Sequence, residues 1–422
     1  MKGETVMEIK KISPEEYAAF GKQFENWNFL NSTEMGTHFQ NEPGWIVQYY
    51  GGFENGKLEA ASMAVLRPLA RIRKYARIPR GFLTDYSNLE RVKSFTREFR
   101  KTLRSEGIMF AEMDPYIGLR QRDQDGHLIE GGWNHMDIVQ NLQDAGFEYQ
   151  PPVPGSQPGE PAFVSELDIQ GKSMDQLMKE MDQQTRWSIN RSRKMNLTLE
   201  PASTKEQLAD FCKMMEHTGK RNGFDSPNAA YYESFLISHP GKAELILAYL
   251  EPVKLAASQD VLYQEAAKEM EQVEAKLKEL PSSKKMIKRR KVLQEAMDLA
   301  LSKKEEASKL KDEYGDKILL AGSLFVWNER EMVYLFSGAY DQFFKMHAPY
   351  AIHDRMIQKA IEMNLKVYNF YGIAGRFEKE EEGYSLFDFK RGFGCVPKEL
   401  LGTFRLPVND LEYSLYKKWK KM

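Results

Sequence analysis

From Leu255 to Tyr314 the chain has no glycine and a single proline, Pro281. Within that stretch apolar residues fall at Leu255, Leu262, Ala266, Met270, Val273, Leu277 and Leu280. After "PSSKK" a second series follows at Met286, Leu293, Met297, Ala300, Ala307, Leu310 and Tyr314. Such spacing puts each series on one side of a helix, in a stripe too narrow to be buried without a partner. The second series, on the far side of the Pro-Ser-Ser turn, supplies that partner. The pattern predicts an antiparallel coiled-coil hairpin over residues 253–314. Each arm, about 26 residues at 1.5 Å per residue, would be about 39 Å long. Strand-like runs flank it, "AELILAYL" before and "ILLAGSLFVW" after, so the hairpin reads as an insertion between two strands of one sheet.

Outside the hairpin, strands and helices follow one another with clear turn signals. "GWIVQYYGGFENGKLEAASMAVLRPL" reads as two strands joined at Asn55-Gly56. "LERVKSFTREFRKTLRSEG" is an amphipathic helix ended by Gly107, and "IMFAEMDPY" is a strand stopped at Asp114-Pro115. "QPPVPGSQPGEPAF", Gln150 to Phe163, is dense in proline and glycine and reads as an interdomain linker. Beyond it "SMDQLMKEMDQQTRWSINRSRKM" and "KEQLADFCKMMEHTGKRNGF" are helical, and strands then resume. The expected fold class is α+β. Residues 1–163 form one domain, 164–252 with 315–422 a second of similar element order, and 253–314 the arm inserted in the second.

At 422 residues, 42% apolar and 29% charged, the chain suits a soluble protein with a sizeable core. The formal charge of -1 gives no global pull toward nucleic acid or a membrane, so any basic site is local. Two distant cysteines, Cys212 and Cys395, form no CxxC and fit a reducing cytosol. No apolar run reaches the roughly 18–20 residues of a membrane span. The first residues lack the apolar core of a signal peptide. A cytoplasmic location is expected.

The chemistry-bearing stretches are few. The seven histidines are scattered, and no motif has metal-ligand spacing. There is no GxSxG elbow, and Cys212 sits in a helical apolar pattern. "GIAG", Gly372 to Gly375, is only GxxG; it lacks both dinucleotide-loop and P-loop spacing. Two basic clusters stand out. "KKMIKRRK" carries Lys284, Lys285, Lys288, Arg289, Arg290 and Lys291 at the hairpin tip, a place suited to phosphates and equally to solvent. "RWSINRSRK" puts Arg186, Asn190 and Arg193 or Lys194 on one helical face. In "VYNFYGIAGRFEKEEEGYSLFDFKRGFGC" a strand of tyrosines ends in glycines, and Lys390 follows among phenylalanines. That lysine either snorkels to solvent or stands as a fixed cation near a developing negative charge. Asp114 either caps a turn or serves as a base at a sheet edge.

Together "IPRGFLTDY", "AEMDPY", "TRWSINRSRKMNLTLE", the helical hairpin and "VYNFYGIAGRF…YSLFDFKRGFG" resemble the FemABX peptidoglycan-bridge aminoacyltransferases over nearly the whole chain. The resemblance implies two tandem acetyltransferase-like (GNAT) domains with a coiled-coil arm in the second. It implies an aminoacyl-tRNA as acyl donor. The acceptor would be an amine on the stem peptide of a peptidoglycan precursor, lipid-linked or UDP-linked. Since the ester is already activated, neither ATP, metal nor another cofactor is expected. A lipid-linked acceptor would bring the protein transiently to the inner membrane face. Lys390 matches the lysine of the family's FK-x-G motif, with an electrostatic role. Asp114 matches the DP aspartate, with a role in proton handling. Tyr231 and Tyr232 resemble the Tyr-Tyr pair beside the precursor, and Tyr371 and Gly372 match the groove-lining FYG motif. Relatives often carry an arginine four or five residues before that pair; here Ser226 and Pro227 stand there, and Arg221 is the nearest candidate. Two other readings stay open at this stage. One is a GNAT-like acyltransferase acting on another amine; the other is a tRNA- or partner-binding scaffold.

Overall fold

The computed structural model describes residues 7–70, 73–155 and 159–420. Among these residues, fourteen strands form two seven-stranded sheets. In chain order they are β1 (Glu8–Lys11), β2 (Ile46–Glu54), β3 (Lys57–Ala70), β4 (Arg73–Ile78), β5 (Ile108–Met113), β6 (Glu148–Gln150) and β7 (Phe163–Asp168). There follow β8 (Thr198–Pro201), β9 (Ala243–Leu250), β10 (Ile318–Trp327), β11 (Glu331–Ala339), β12 (Val367–Gly372), β13 (Val396–Glu399) and β14 (Thr403–Pro407).

The first sheet runs β1-β2-β3-β4-β5-β14-β6, and the second, read from its far edge, β8-β9-β10-β11-β12-β7-β13. Position for position the two orders match. Each contains one parallel pair, β4 with β5 and β11 with β12, among antiparallel neighbours. The halves also exchange a strand. β7, which follows the linker, inserts between β12 and β13, while β14 from the C-terminus returns to the first sheet between β5 and β6. The expected assignment of all of residues 315–422 to the second domain therefore needs correction: residues 403–407 belong to the first sheet. Apolar alternation marks β14 as a strand but is silent on which sheet it joins. A shared apolar seam adds to the exchange, with Phe29, Leu30 and Met35 of the first half packed against Phe211, Tyr232, Phe235 and Leu247 of the second.

The predicted hairpin is present between β9 and β10, which pair directly with each other. Its helices span Pro252–Glu279 and Lys284–Tyr314, the first opened by Pro252 in the first turn, where a missing N–H costs nothing. Ala266, Val273, Leu277 and Leu293 fill its seam with Met270, Met286 and Met297. Three expected seam residues are instead exposed, Leu262 at 53%, Leu280 at 66% and Tyr314 at 40%. Leu255 and Ala307 are drawn into the core of the second half, which shifts the register at the base of the arm. The polar Gln259 takes the buried place. Among the described residues its amide finds only Ser258 Oγ, at 3.5 Å. Gln259→Leu should therefore stabilise the arm by about 1 kcal/mol. That would slow hydrogen exchange in both helices about fivefold; unchanged or faster exchange would contradict it.

One predicted helix is two. The run from Met174 breaks at Met181–Asp182 into Met174–Glu180 and Gln183–Lys194. The Asp182 carboxylate caps the second piece by accepting the Thr185 N–H at 2.6 Å. Its own N–H donates to the Gly392 carbonyl at 2.9 Å. A Cβ on Gly392 would stand 2.4 Å from Thr185 Oγ1, so only glycine lets these elements meet. The helix Tyr384–Gly392, which carries Lys390, is thereby anchored at its end.

Candidate active site

The site forms where β12 loses its register with β7, between Asn369 and Gly372. Asn369 Oδ1 accepts the Tyr371 N–H at 2.8 Å. Tyr371 has a φ of +64°, a conformation a bulky residue rarely adopts. Holding it costs about 1–2 kcal/mol. Lys390 secures the turn from the facing helix. Its Nζ donates to the Gly372 carbonyl at 2.6 Å and the Tyr371 carbonyl at 3.3 Å. The side chain is 3% exposed and has no carboxylate within ion-pair distance among the described residues. Burial lowers its pKa to about 7, against a smaller opposing effect of Cys395. Nearby His353 is driven by burial, and then by Lys390, to about 3, so it is neutral. Two of the three ammonium donors are thus committed to carbonyls, and one remains.

The other end of Tyr371 reaches the linker. Its hydroxyl donates to the Glu160 carboxylate. The linker is pinned there: the Gly155 N–H donates to the Ala374 carbonyl at 2.7 Å, and the Leu400 N–H to that of Ala162 at 2.8 Å. A Cβ on Gly372 would come within 3.0 Å of Pro161, so this glycine lets the Glu160-Pro161 segment lie against β12. Behind Glu160 stands Arg80, 1% exposed and at a φ of +56°. Its Nη1 meets Asp114 Oδ2 at 3.2 Å, and its Nη2 lies 3.9 Å from Glu160, outside hydrogen-bond range. Burial opposes its charge, yet Asp114, Tyr371 and Glu160 outweigh burial and raise its pKa. Arg80 Nε and Nη2 are buried without a hydrogen-bond partner. Burial, then Glu160, pushes the Tyr371 hydroxyl pKa well up, so it stays a donor.

A second polar cluster joins the halves beside the site. Glu331 on β11 accepts from Asn28 of the first half and from Asn369 at 2.9 Å. Asn369 also donates to the Tyr116 hydroxyl at 2.8 Å, and Tyr116 donates to Glu166 at 2.7 Å. Burial and then the Glu166 charge raise the Glu331 pKa to about 7, against the hydrogen bond from Asn369.

The structure brings together Lys390, Tyr371 and Gly372 and sets Asp114 one residue behind them, past Arg80. Asp114 is not placed as a free base: Arg80 N–H (3.0 Å), Arg80 Nη1 and Arg77 Nη2 (2.8 Å) already occupy its oxygens. Tyr231 is half-buried against His38 and Phe336 and packs, as Tyr371 does, against the apolar seam between the halves. Tyr232 is fully buried in the apolar seam, so it supports the wall from inside. Arg221 does not join the pair. It donates to the Ala339 carbonyl at 3.3 Å, lies 3.6 Å from Asp341 and sits over Phe344.

Of the basic residues, Arg186 holds the Met181 and Lys179 carbonyls, and Arg193 forks onto Asp354 at 2.7 and 2.8 Å. Both expected tRNA contacts thus already have partners within the protein, although Arg193 stays 44% exposed. At the arm tip Arg289 forks onto Glu269, and Arg290 and Lys291 lie 3.9 Å from Glu274 and Glu295. Lys284, Lys285 and Lys288 are exposed, with no acidic partner within 4 Å among the described residues. Also among the described residues, no group of three or more His, Cys, Asp or Glu is arranged to hold a metal, and no helix is long and apolar enough to cross a membrane.

Sequence reasoning missed Arg80, Glu160 and Glu331. Arg80 lay inside "IPRGFLTDY", and Glu160 was the lone acid in a stretch read only as a linker.

The sequence profile of the FemAB family matches residues 12–421. The aminoacyltransferase FemA of Staphylococcus aureus is 27% identical over 424 residues, covering 99% of either chain. That of Staphylococcus epidermidis is 27% identical over 378 residues, 88% of this chain and 89% of its own. The crystal structure of FemX superposes with a TM-score of 0.82 at 23% identity, covering 97% of this chain and 99% of that one.

Proposed function

This chain belongs to the FemAB family, and from that premise we propose that it transfers an amino acid from aminoacyl-tRNA to an amine on the stem peptide of a peptidoglycan precursor, building the interpeptide bridge. The observation that carries this reading is Lys390. A buried ammonium with no carboxylate partner is costly, and such groups cluster at functional sites. Its remaining donor suits the oxyanion that forms when an amine attacks the ester carbonyl. Tyr371 and Gly372 floor the groove, and Tyr231 walls it. The ester stores the activation, so the protein's task is to align the amine, take its proton and stabilise the oxyanion.

The projecting arm gives the tRNA reading its support. Replacing Lys284, Lys285 and Lys288 together by glutamine should weaken tRNA binding. The slope of log affinity against log salt should fall by about two to three. Equal slopes for both proteins would reduce the tip to a solvated surface. Transfer itself is tested with a pool of charged, radiolabelled tRNAs, offering lipid-linked and UDP-linked precursors in turn. Label on either precursor supports the reading; folded protein that binds tRNA but labels neither favours a scaffold or another amine.

A further inference from the structure

We propose that Glu160, on the segment between the two halves, is the carboxylate that receives the acceptor amine and takes its protons during transfer. This rests on the aminoacyl-transfer reading above and deepens it. Tyr371 is the link: its carbonyl accepts from Lys390 Nζ and its hydroxyl donates to Glu160. The cation that faces the oxyanion and the carboxylate therefore stand at opposite ends of one tyrosine. An amine bound to the carboxylate would then approach an ester carbonyl whose oxygen points at Lys390.

Three observations single out Glu160 over its neighbours. Asp114 has its oxygens filled by Arg77 and Arg80 and is 9% exposed. Glu331 is buried and engaged by two asparagines. Glu160 keeps 32% of its side chain exposed, and among the described residues only the Tyr371 hydroxyl hydrogen-bonds it. Arg80, with its Nε and Nη2 buried and without a hydrogen-bond partner, backs it from 3.9 Å without bonding, and so leaves the carboxylate oxygens available. Arg80 is a positioning residue here, as is Asp114 through it.

The protons balance as follows. The ammonium gives one proton to Glu160, which passes it to water, and the freed lone pair attacks the ester carbon. As the C–N bond forms, the carbonyl electrons move to the oxygen facing Lys390. The nitrogen's second proton travels through Glu160 to the ribose oxygen as the C–O bond breaks. Amide, free tRNA hydroxyl and one released proton result.

The test compares binding of a UDP-linked stem-peptide precursor with the same molecule acetylated on its free amine. Wild type should prefer the free amine about tenfold or more, the worth of one charge-assisted hydrogen bond. E160Q keeps an oxygen for the Tyr371 hydroxyl and so should fold normally. It should bind both forms within about twofold of each other, and its kcat for transfer should fall about a hundredfold or more. E160D should recover part of the discrimination. If E160Q keeps the wild-type preference or kcat while wild type transfers, this inference alone is overturned. A wild type that neither discriminates nor transfers overturns both readings.

Discussion

Replacing Lys390 by methionine should cut the transfer rate about a thousandfold while changing stability by no more than about 2 kcal/mol. The two effects separate because two opposing terms act on the fold. Methionine removes a buried ammonium that has no counter-ion, a gain. It also orphans the Gly372 and Tyr371 carbonyls, a loss of about 1–3 kcal/mol each when buried. The pH dependence identifies the group. The folded pKa of about 7 lies below the ordinary 10.5, so between them the unfolded chain holds the extra proton. Stability of wild type should rise across that window relative to the methionine variant, whose advantage is greatest below pH 7. Transfer should move the opposite way: the oxyanion needs the ammonium, so the wild-type rate should fall as pH rises through about 7. Titrations of urea stability and of initial rate, run on both proteins, check the pair. A variant that keeps wild-type turnover would remove Lys390 from the chemistry.

Glu331→Ala should be the most destabilising single change, by about 3–5 kcal/mol in urea unfolding. It strips the acceptor from Asn28 and Asn369 inside a buried joint between halves. Glutamine retains the shape but offers one oxygen to two amide donors, so Glu331→Gln should cost about 1–3 kcal/mol. Here the folded pKa is raised, from 4.5 to about 7, so the folded chain holds the extra proton in between. The sign is therefore reversed from Lys390: this group's contribution is present at low pH and is lost as pH rises from about 4.5 to 7. Glu331→Gln should flatten that dependence. A Glu331→Ala protein within 1 kcal/mol of wild type would show that the joint does not hold the halves together.

How much of this was legible in the chain depends on which distance the signal had to cross. The arm was readable because its stripe is local, three or four residues at a time; the structure departs from it at the tip, where Leu280 is exposed, and toward the base, where Leu262 and Tyr314 are exposed and Leu255 and Ala307 join another core. The hairpin turn at Asn55-Gly56 was readable because both residues take the positive φ that such a turn needs. The return of β14 to the first sheet was not, since strand pattern carries no partner. Lys390 was conspicuous as one cation among phenylalanines. Glu160 was invisible, because its meaning lies in a hydroxyl more than two hundred residues away. Arg186 and Arg193 show the reverse gap: charges that stand free in the sequence meet a carbonyl and Asp354 within the fold.

The central claim is that the cradle of Lys390, Tyr371 and Glu160 performs acyl transfer to an amine. The most direct measurement is a single-turnover assay with labelled aminoacyl-tRNA and the precursors, following label by rapid quench for wild type and Lys390→Met side by side. The account predicts label passing to the precursor amine in wild type, and the same tRNA bound but its ester left intact in the variant. Equal transfer by both proteins, or none by a wild type that binds tRNA and precursor, would contradict it.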